Sequence, residues 1–141
     1  MKSIYITGGN GLLSSNLIQY LSQYRIRASL RKYENIIPRI NYDIINSSNY
    51  SSLKNKILKF KPDVIIHTAG ITDIEKCEKY PIKARQSNLE YSKKIAKISS
   101  LLNCKLIYIS TDHLYNDQKK IYSENDITNP INEYAKSKFL K

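Results

Sequence analysis

Cysteine, glycine and acidic side chains are all scarce in this chain of 141 residues. Cys77 and Cys104 stand far apart, form no CxxC and have no evident metal-ligand companion. That argues against a disulfide scaffold or a thiolate metal site, and no metal is expected. Two buried free thiols, suited to a reducing cytoplasm, are the expectation. Long apolar runs are missing as well. The stretch Ile4 to Ile6 behind Met1 and Lys2 is far too short for a signal peptide or a membrane span. There is no internal repeat and no low-complexity linker. The length suits one domain that buries roughly two-thirds of its unfolded surface.

The deficit of carboxylates leaves a formal charge of +11, with 23 Lys and Arg against 12 Asp and Glu. A polyanionic partner such as nucleic acid or a membrane surface is one reading of that excess. The other is biased coding, since Lys, Asn, Ile and Tyr all have A/T-rich codons. The lysines are scattered and form no block of five or six like charges. The second reading is preferred, so neither nucleic acid nor membrane is expected as a partner. A positive potential would still help attract an anionic dinucleotide.

What is present is an alternation of β-rich and helical segments. Ser3 to Thr7 reads as a strand buried on both faces. A helix follows from Gly11, with Leu13, Leu17, Tyr20, Leu21 and Tyr24 on one face. Ile26 to Leu30 and Ile40 to Ile44 read as the second and third strands. Asn49 to Phe60 is helical, with Leu53, Ile57 and Phe60 in register, and Pro62 stops it. Val64 to His67 is a fourth strand, a long helix covers about Ile82 to Leu102, and Lys105 to Ser110 is a fifth strand. Residues 112–130 read as loop, and a last helix begins near Asn132 and runs into the chain end. Strands separated by helices imply right-handed crossovers on a parallel sheet.

Three of the four glycines fall at the first strand–helix junction, in Thr7-Gly8-Gly9-Asn10-Gly11-Leu12-Leu13-Ser14. Glycine lets a backbone turn sharply and approach a pyrophosphate closely. The helix N-terminus then offers free N–H groups and a positive dipole end. The position of this loop, directly after the first strand, makes it a dinucleotide-binding candidate. At the end of the second strand stand Arg31 and Lys32, with no acid before Glu34. A basic residue there pairs with a 2′-phosphate and an acidic one with ribose hydroxyls, so NADP(H) is favoured over NAD(H).

Tyr134 and Lys138 are four residues apart in Tyr134-Ala135-Lys136-Ser137-Lys138. On a helix both project to one face, within reach of one ligand. Reducing a ketone by hydride requires a proton for the new alkoxide. A free phenol titrates near 10, and a neighbouring ammonium favours its phenolate. Thr111, at the tip of the fifth strand in Ile109-Ser110-Thr111-Asp112, supplies a hydroxyl that can orient the substrate oxygen. The joint placement of loop, threonine and Tyr-Lys pair carries the weight, since YxxxK alone is common.

With these motifs the chain resembles the extended short-chain dehydrogenases, in particular the dTDP-4-dehydrorhamnose reductase family, over nearly its whole length. The glycine spacing is similar to that family's TGxxGxxG, except that Ser14 replaces the third glycine, where a Cβ threatens to push the helix outward. Asp43-Ile44 resembles the pair beside the adenine. Pro62 to Gly70 resembles the fourth strand and the cofactor loop after it, which makes Ala69, Gly70 and Thr72 expected cofactor contacts. Ser110-Thr111-Asp112 and the stretch from Tyr122 through Lys138 resemble the catalytic segments. His113 follows Asp112 where a dehydratase carries Glu, which disfavours that activity, and it also departs from the aromatic expected in the reductases.

The resemblance implies an α/β fold: a Rossmann-type doubly wound parallel sheet of order 3-2-1-4-5. Residues 1–141 would form an NAD(P)-binding domain cut off before the C-terminal strands and the substrate domain. It implies catalytic roles for Thr111, Tyr134 and Lys138. Cofactor contacts would come from Gly8, Gly11, Leu12, Leu13, Arg31, Asp43, Ile44, Ala69, Gly70, Thr72, Tyr134 and Lys138. The implied activity is NADP(H)-dependent reduction of a nucleotide-linked 4-keto-6-deoxy sugar in the cytoplasm. A homodimer or a missing C-terminal half would complete the site. Two alternatives stay open. One is a non-catalytic dinucleotide-binding partner subunit, since the regulatory subunit of methionine adenosyltransferase resembles the same reductases. The other is a nucleotide-sugar epimerase.

Overall fold

A computed structural model describes residues 1–45, 49–116 and 118–139. Its elements are β1 (Ser3–Thr7), α1 (Leu12–Tyr20), β2 (Arg25–Leu30), β3 (Asn41–Ile44), α2 (Tyr50–Phe60) and β4 (Val64–His67). There follow α3 (Ile74–Lys79), α4 (Pro81–Arg85), a π-helical turn (Gln86–Glu90), α5 (Tyr91–Leu102), β5 (Lys105–Tyr108), a 3₁₀ turn (Asp112–Leu114) and α6 (Glu133–Lys138). The five strands form one sheet in the order β3-β2-β1-β4-β5, and every pairing is parallel. This is the expected Rossmann-type order.

Two compact units make up the chain, Met1–Ala69 with Ser92–Ile109, and Gly70–Tyr91 with Ser110–Lys141. The first holds the sheet. Its strands are short and β-branched, and β1 is buried along its whole length. Side chains alternate between the two faces. Ile4, Ile6, Ile26, Ala28 and Ile66 pack with Ile18 of α1, joined by Leu17, Leu21 and Tyr24. On the opposite face, Tyr5 meets Phe60 of α2 with ring centroids 6.0 Å apart, and His67 bonds Ser92 of α5 at 2.8 Å. Helices therefore cover both faces of the sheet.

Local capping explains several boundaries. Asn49 caps α2 by accepting from the Ser52 N–H, and Lys61 ends that helix in the left-handed region at φ 50°. Asp73 caps α3 in the same way through the Lys76 N–H, and Pro81 opens α4.

Three sequence expectations are corrected. The inward face of α1 is centred on Ser14 and Ile18, whereas Leu13 and Tyr20 are exposed. Residue 14 is turned towards the loop carbonyls, which rotates the stripe away from Leu13. The single helix over Ile82 to Leu102 is instead α4, a π-helical turn and α5, preceded by the unforeseen α3. Six residues with only Cys77 buried give α3 no apolar period to detect. The last helix ends at Lys138, and Phe139 is extended.

Candidate functional site

The glycine loop is shaped by contacts within the first unit. Gly8 has φ +75°, and a Cβ there would lie 2.9 Å from the Ala69 Cα, so a side chain is excluded on two grounds. The Gly9 N–H donates to the Ser29 carbonyl at 2.8 Å, tying the loop to the end of β2. The Ser14 hydroxyl is fully buried and lies 2.5 Å from the Gly8 carbonyl oxygen and 2.9 Å from that of Gly11. The serine is therefore accommodated and bonded. At the start of α1, Leu12 is 86% exposed and Leu13 45%. Their N–H groups belong to the first helical turn, which has no intrahelical acceptors. Close backbone approach and unpaired amides at a helix N-terminus fit the pyrophosphate of a dinucleotide.

Thr7 Oγ1 lies 2.6 Å from His67 Nδ1, and Thr68 Oγ1 donates to the Thr7 carbonyl at 2.5 Å. His67 Nε2 lies 2.8 Å from Ser92 Oγ, so the imidazole links β1 to the start of α5 beneath the loop.

Arg31 follows β2 directly and is exposed, and the neighbouring Lys32 approaches Glu34 only at 4.0 Å. Asp43 behaves differently from an exposed ligand contact. Its carboxylate is buried. It accepts from Arg27 Nε at 2.9 Å and Nη2 at 3.0 Å, from the Tyr5 hydroxyl at 3.0 Å and from Lys56 Nζ at 3.4 Å. Both oxygens are thus engaged by the protein, while the following Ile44 is exposed.

The second unit holds Gly70, Thr72, Thr111, Tyr134 and Lys138. Asn132 caps α6 by accepting from the Ala135 N–H at 2.7 Å. The helix packs against α3, α4, the π-helical turn and the 3₁₀ turn. Tyr134 and Lys138 are each 7% exposed. Burial lowers the Lys138 pKa from its ordinary 10.5 to about 8. His113 meets the Tyr134 ring in an edge-to-face contact with centroids 5.9 Å apart. Thr111 is half-buried, donates to Asp112 Oδ1 at 3.2 Å and accepts from the His113 N–H at 3.3 Å. The structure therefore brings the turn after Thr111 and the Tyr-Lys helix together. Gly70 and Thr72 are exposed.

Sequence reasoning missed Asn88. It is fully buried in the π-helical turn. Its Oδ1 accepts from the Ile71 N–H at 2.7 Å, and its Nδ2 donates to the Ile71 carbonyl at 2.9 Å and to Ser137 Oγ at 2.8 Å. One amide thus fastens the loop after Gly70 and the helix α6. A Cβ on Gly70 would lie 2.8 Å from Asn88 Oδ1, so a side chain there would have to displace this amide oxygen. The signal was there: Ala84, Asn88, Tyr91, Ile95 and Ile98 follow helical spacing, and Asn88 is the polar member of an otherwise apolar stripe. π-helical turns frequently mark functional sites.

Among the described residues there is no cluster of three or more potential metal ligands, and no helix long and apolar enough to cross a membrane.

Comparison with known proteins places this geometry. The RmlD substrate binding domain family matches residues 1–141. The chain belongs to that family. It is 30% identical over 137 residues to methionine adenosyltransferase 2 subunit beta of Bos taurus, covering 97% of this chain and 40% of that protein. Among solved structures it is similar to a hypothetical dTDP-4-dehydrorhamnose reductase from Sulfolobus tokodaii, with 32% identity and a TM-score of 0.87. That match covers 98% of this chain and 49% of the other. It is also similar to the dTDP-4-dehydrorhamnose reductase of Bacillus anthracis in complex with NADP, with 30% identity and a TM-score of 0.85, covering 98% and 47% of the two chains. The chain spans less than half the length of these relatives.

Proposed function

We propose that this chain is the dinucleotide-binding and proton-donating part of an NADP(H)-dependent reductase acting on a nucleotide-linked 4-keto-6-deoxy sugar of the dTDP-4-dehydrorhamnose type. The observation that carries this reading is the helix α6, which buries Tyr134 and Lys138 together and packs against the turn that follows Thr111. Gly8, Gly11, Leu12 and Leu13 would hold the pyrophosphate. Arg31 would meet a 2′-phosphate, and Ile44 would lie beside the adenine. Asp43 would act there by holding the end of β3 in place. Ala69, Gly70 and Thr72 would line the nicotinamide half, with Tyr134 and Lys138 at its ribose.

The reduced nicotinamide supplies the hydride when bound. This chain's residues then do the rest. Thr111 Oγ1 orients the carbonyl oxygen, Tyr134 donates the phenolic proton to it, and Lys138 favours the resulting phenolate and holds the nicotinamide ribose. General acid catalysis of this kind contributes about 10²–10⁴-fold. A nicotinamide dinucleotide as such is supported by the glycine loop; the preference for NADP(H) rests on Arg31 and Lys32 and on the NADP-bound relative.

Residues 1–141 would serve as the NAD(P)-binding domain of a longer or assembled protein, working in the cytoplasm, with the nucleotide grip supplied by a further segment or a second copy. The likeness to methionine adenosyltransferase 2 subunit beta favours a second reading, a partner subunit that binds dinucleotide without turnover. The intact Thr111, Tyr134 and Lys138 favour the enzyme. The test is NADPH oxidation by the intact protein with dTDP-4-dehydrorhamnose. Turnover supports the reductase; tight NADPH binding without turnover supports the subunit.

A further inference from the structure

We propose that Ser14 is a positioning residue of the dinucleotide loop, a role that rests on the reading of this loop as an NADP(H) site. In the spacing that the chain resembles, this position is glycine, whose use is to let helix and strand approach closely. Here the side chain has been kept and given partners. The Ser14 hydroxyl is fully buried, at 2.5 Å from the Gly8 carbonyl oxygen and 2.9 Å from that of Gly11. A hydroxyl has one proton to donate, so it is shared between these two acceptors.

Gly11 N–H also donates to the Gly8 carbonyl at 2.9 Å, and Ser15 N–H to the Gly11 carbonyl at 2.9 Å. Both carbonyls are therefore drawn inward, towards the helix start. A peptide plane whose oxygen is fixed inward presents the N–H of the following residue the opposite way. Those following amides are at Gly9, which is tied to Ser29, and at Leu12, in the first turn of α1. Fixing the Gly11 carbonyl thus fixes the direction of the Leu12 N–H, one of the donors a pyrophosphate needs. The bracket replaces tight packing as the means of holding the loop ready, and a buried donor with two acceptors is the chemistry that achieves it.

The experiment uses the intact protein and two ligands. NADPH carries the pyrophosphate; adenosine 2′-monophosphate has no 5′-phosphate and occupies only the adenosine end. S14A removes one oxygen and keeps the Cβ, and S14G removes both. Thermal unfolding confirms that each variant is folded, and S14G serves where S14A is not. The expected result is about a tenfold loss of NADPH affinity in either variant, the equivalent of one net hydrogen bond of about 1.4 kcal/mol. Binding of adenosine 2′-monophosphate should stay within twofold of the wild type. Undiminished NADPH affinity overturns the proposal, and so does an equal loss for both ligands, which would mark a general effect on stability. Tighter binding by S14G would mean that the side chain only obstructs, and that also overturns it. A wild-type protein that binds no NADPH overturns the reading of the loop as well.

Discussion

Asn88 Nδ2 donates to Ser137 Oγ at 2.8 Å, and Ser137 in turn donates to the Tyr134 carbonyl at 2.7 Å. The π-helical turn is in this way bonded to the helix that carries Tyr134 and Lys138. Asn88→Ala would remove that bond and both bonds to Ile71, leaving buried partners unsatisfied. The expected cost is about 2–4 kcal/mol in denaturant unfolding, with kcat falling more than the affinity for NADPH, because Tyr134, the proposed proton donor, loses its support. Wild-type stability in this variant would contradict the bracing role.

Burial of Lys138 gives a pH signature. Its folded pKa of about 8 lies below the ordinary 10.5. Below pH 8 both folded and unfolded chains carry the proton. Between about 8 and 10.5 the unfolded chain keeps it while the folded chain has released it. Unfolding then takes up a proton, and stability rises with pH across that window. Lys138→Met removes the titration. Its stability relative to wild type should fall by up to about 3 kcal/mol between pH 7 and pH 10.5. Chemical denaturation at several pH values measures this, and a constant difference would refute it.

Asp43 sits at the centre of a buried charge cluster. Removing its carboxylate takes away the acceptor of the Tyr5 hydroxyl bond and leaves Arg27 and Lys56 without their anion. Asp43→Ala should cost about 3 kcal/mol, the lower end of the range for a broken buried pair because both cations are partly solvated. A loss of cofactor affinity with no loss of stability would instead assign the carboxylate directly to the ligand.

Arg31 is exposed at the end of β2 and free to reach a 2′-phosphate. Arg31→Glu should weaken NADPH by about tenfold or more while leaving NADH within a few-fold, since a charge-assisted bond is worth about 1.5–3 kcal/mol. Fluorescence titration with both cofactors decides it. An equal effect on the two would reduce Arg31 to surface charge.

The sheet was readable because its strands are β-branched runs separated by helices, and β1 in particular is apolar throughout. The strand order followed from the alternation of strands and helices together with the glycine loop at Gly8 to Ser14. The Tyr134–Lys138 face followed from helical spacing alone. What escaped lies where side chains bond to backbone. α3 has no apolar stripe, and the π-helical turn is built around the contacts of Asn88 with Ile71. The rotation of α1 onto Ser14 depends on a hydroxyl finding two carbonyls. The engagement of Asp43 by Arg27, Tyr5 and Lys56 joins residues up to 38 positions apart, and no local pattern announces it.

The most direct test of the reductase reading is NADPH oxidation by the intact protein with dTDP-4-dehydrorhamnose, compared between wild type and Tyr134→Phe. Turnover is expected in the wild type, with a loss of about 10²-fold or more in the variant and NADPH affinity largely retained. Absence of turnover in a wild-type protein that binds NADPH, or undiminished turnover in Tyr134→Phe, would contradict it.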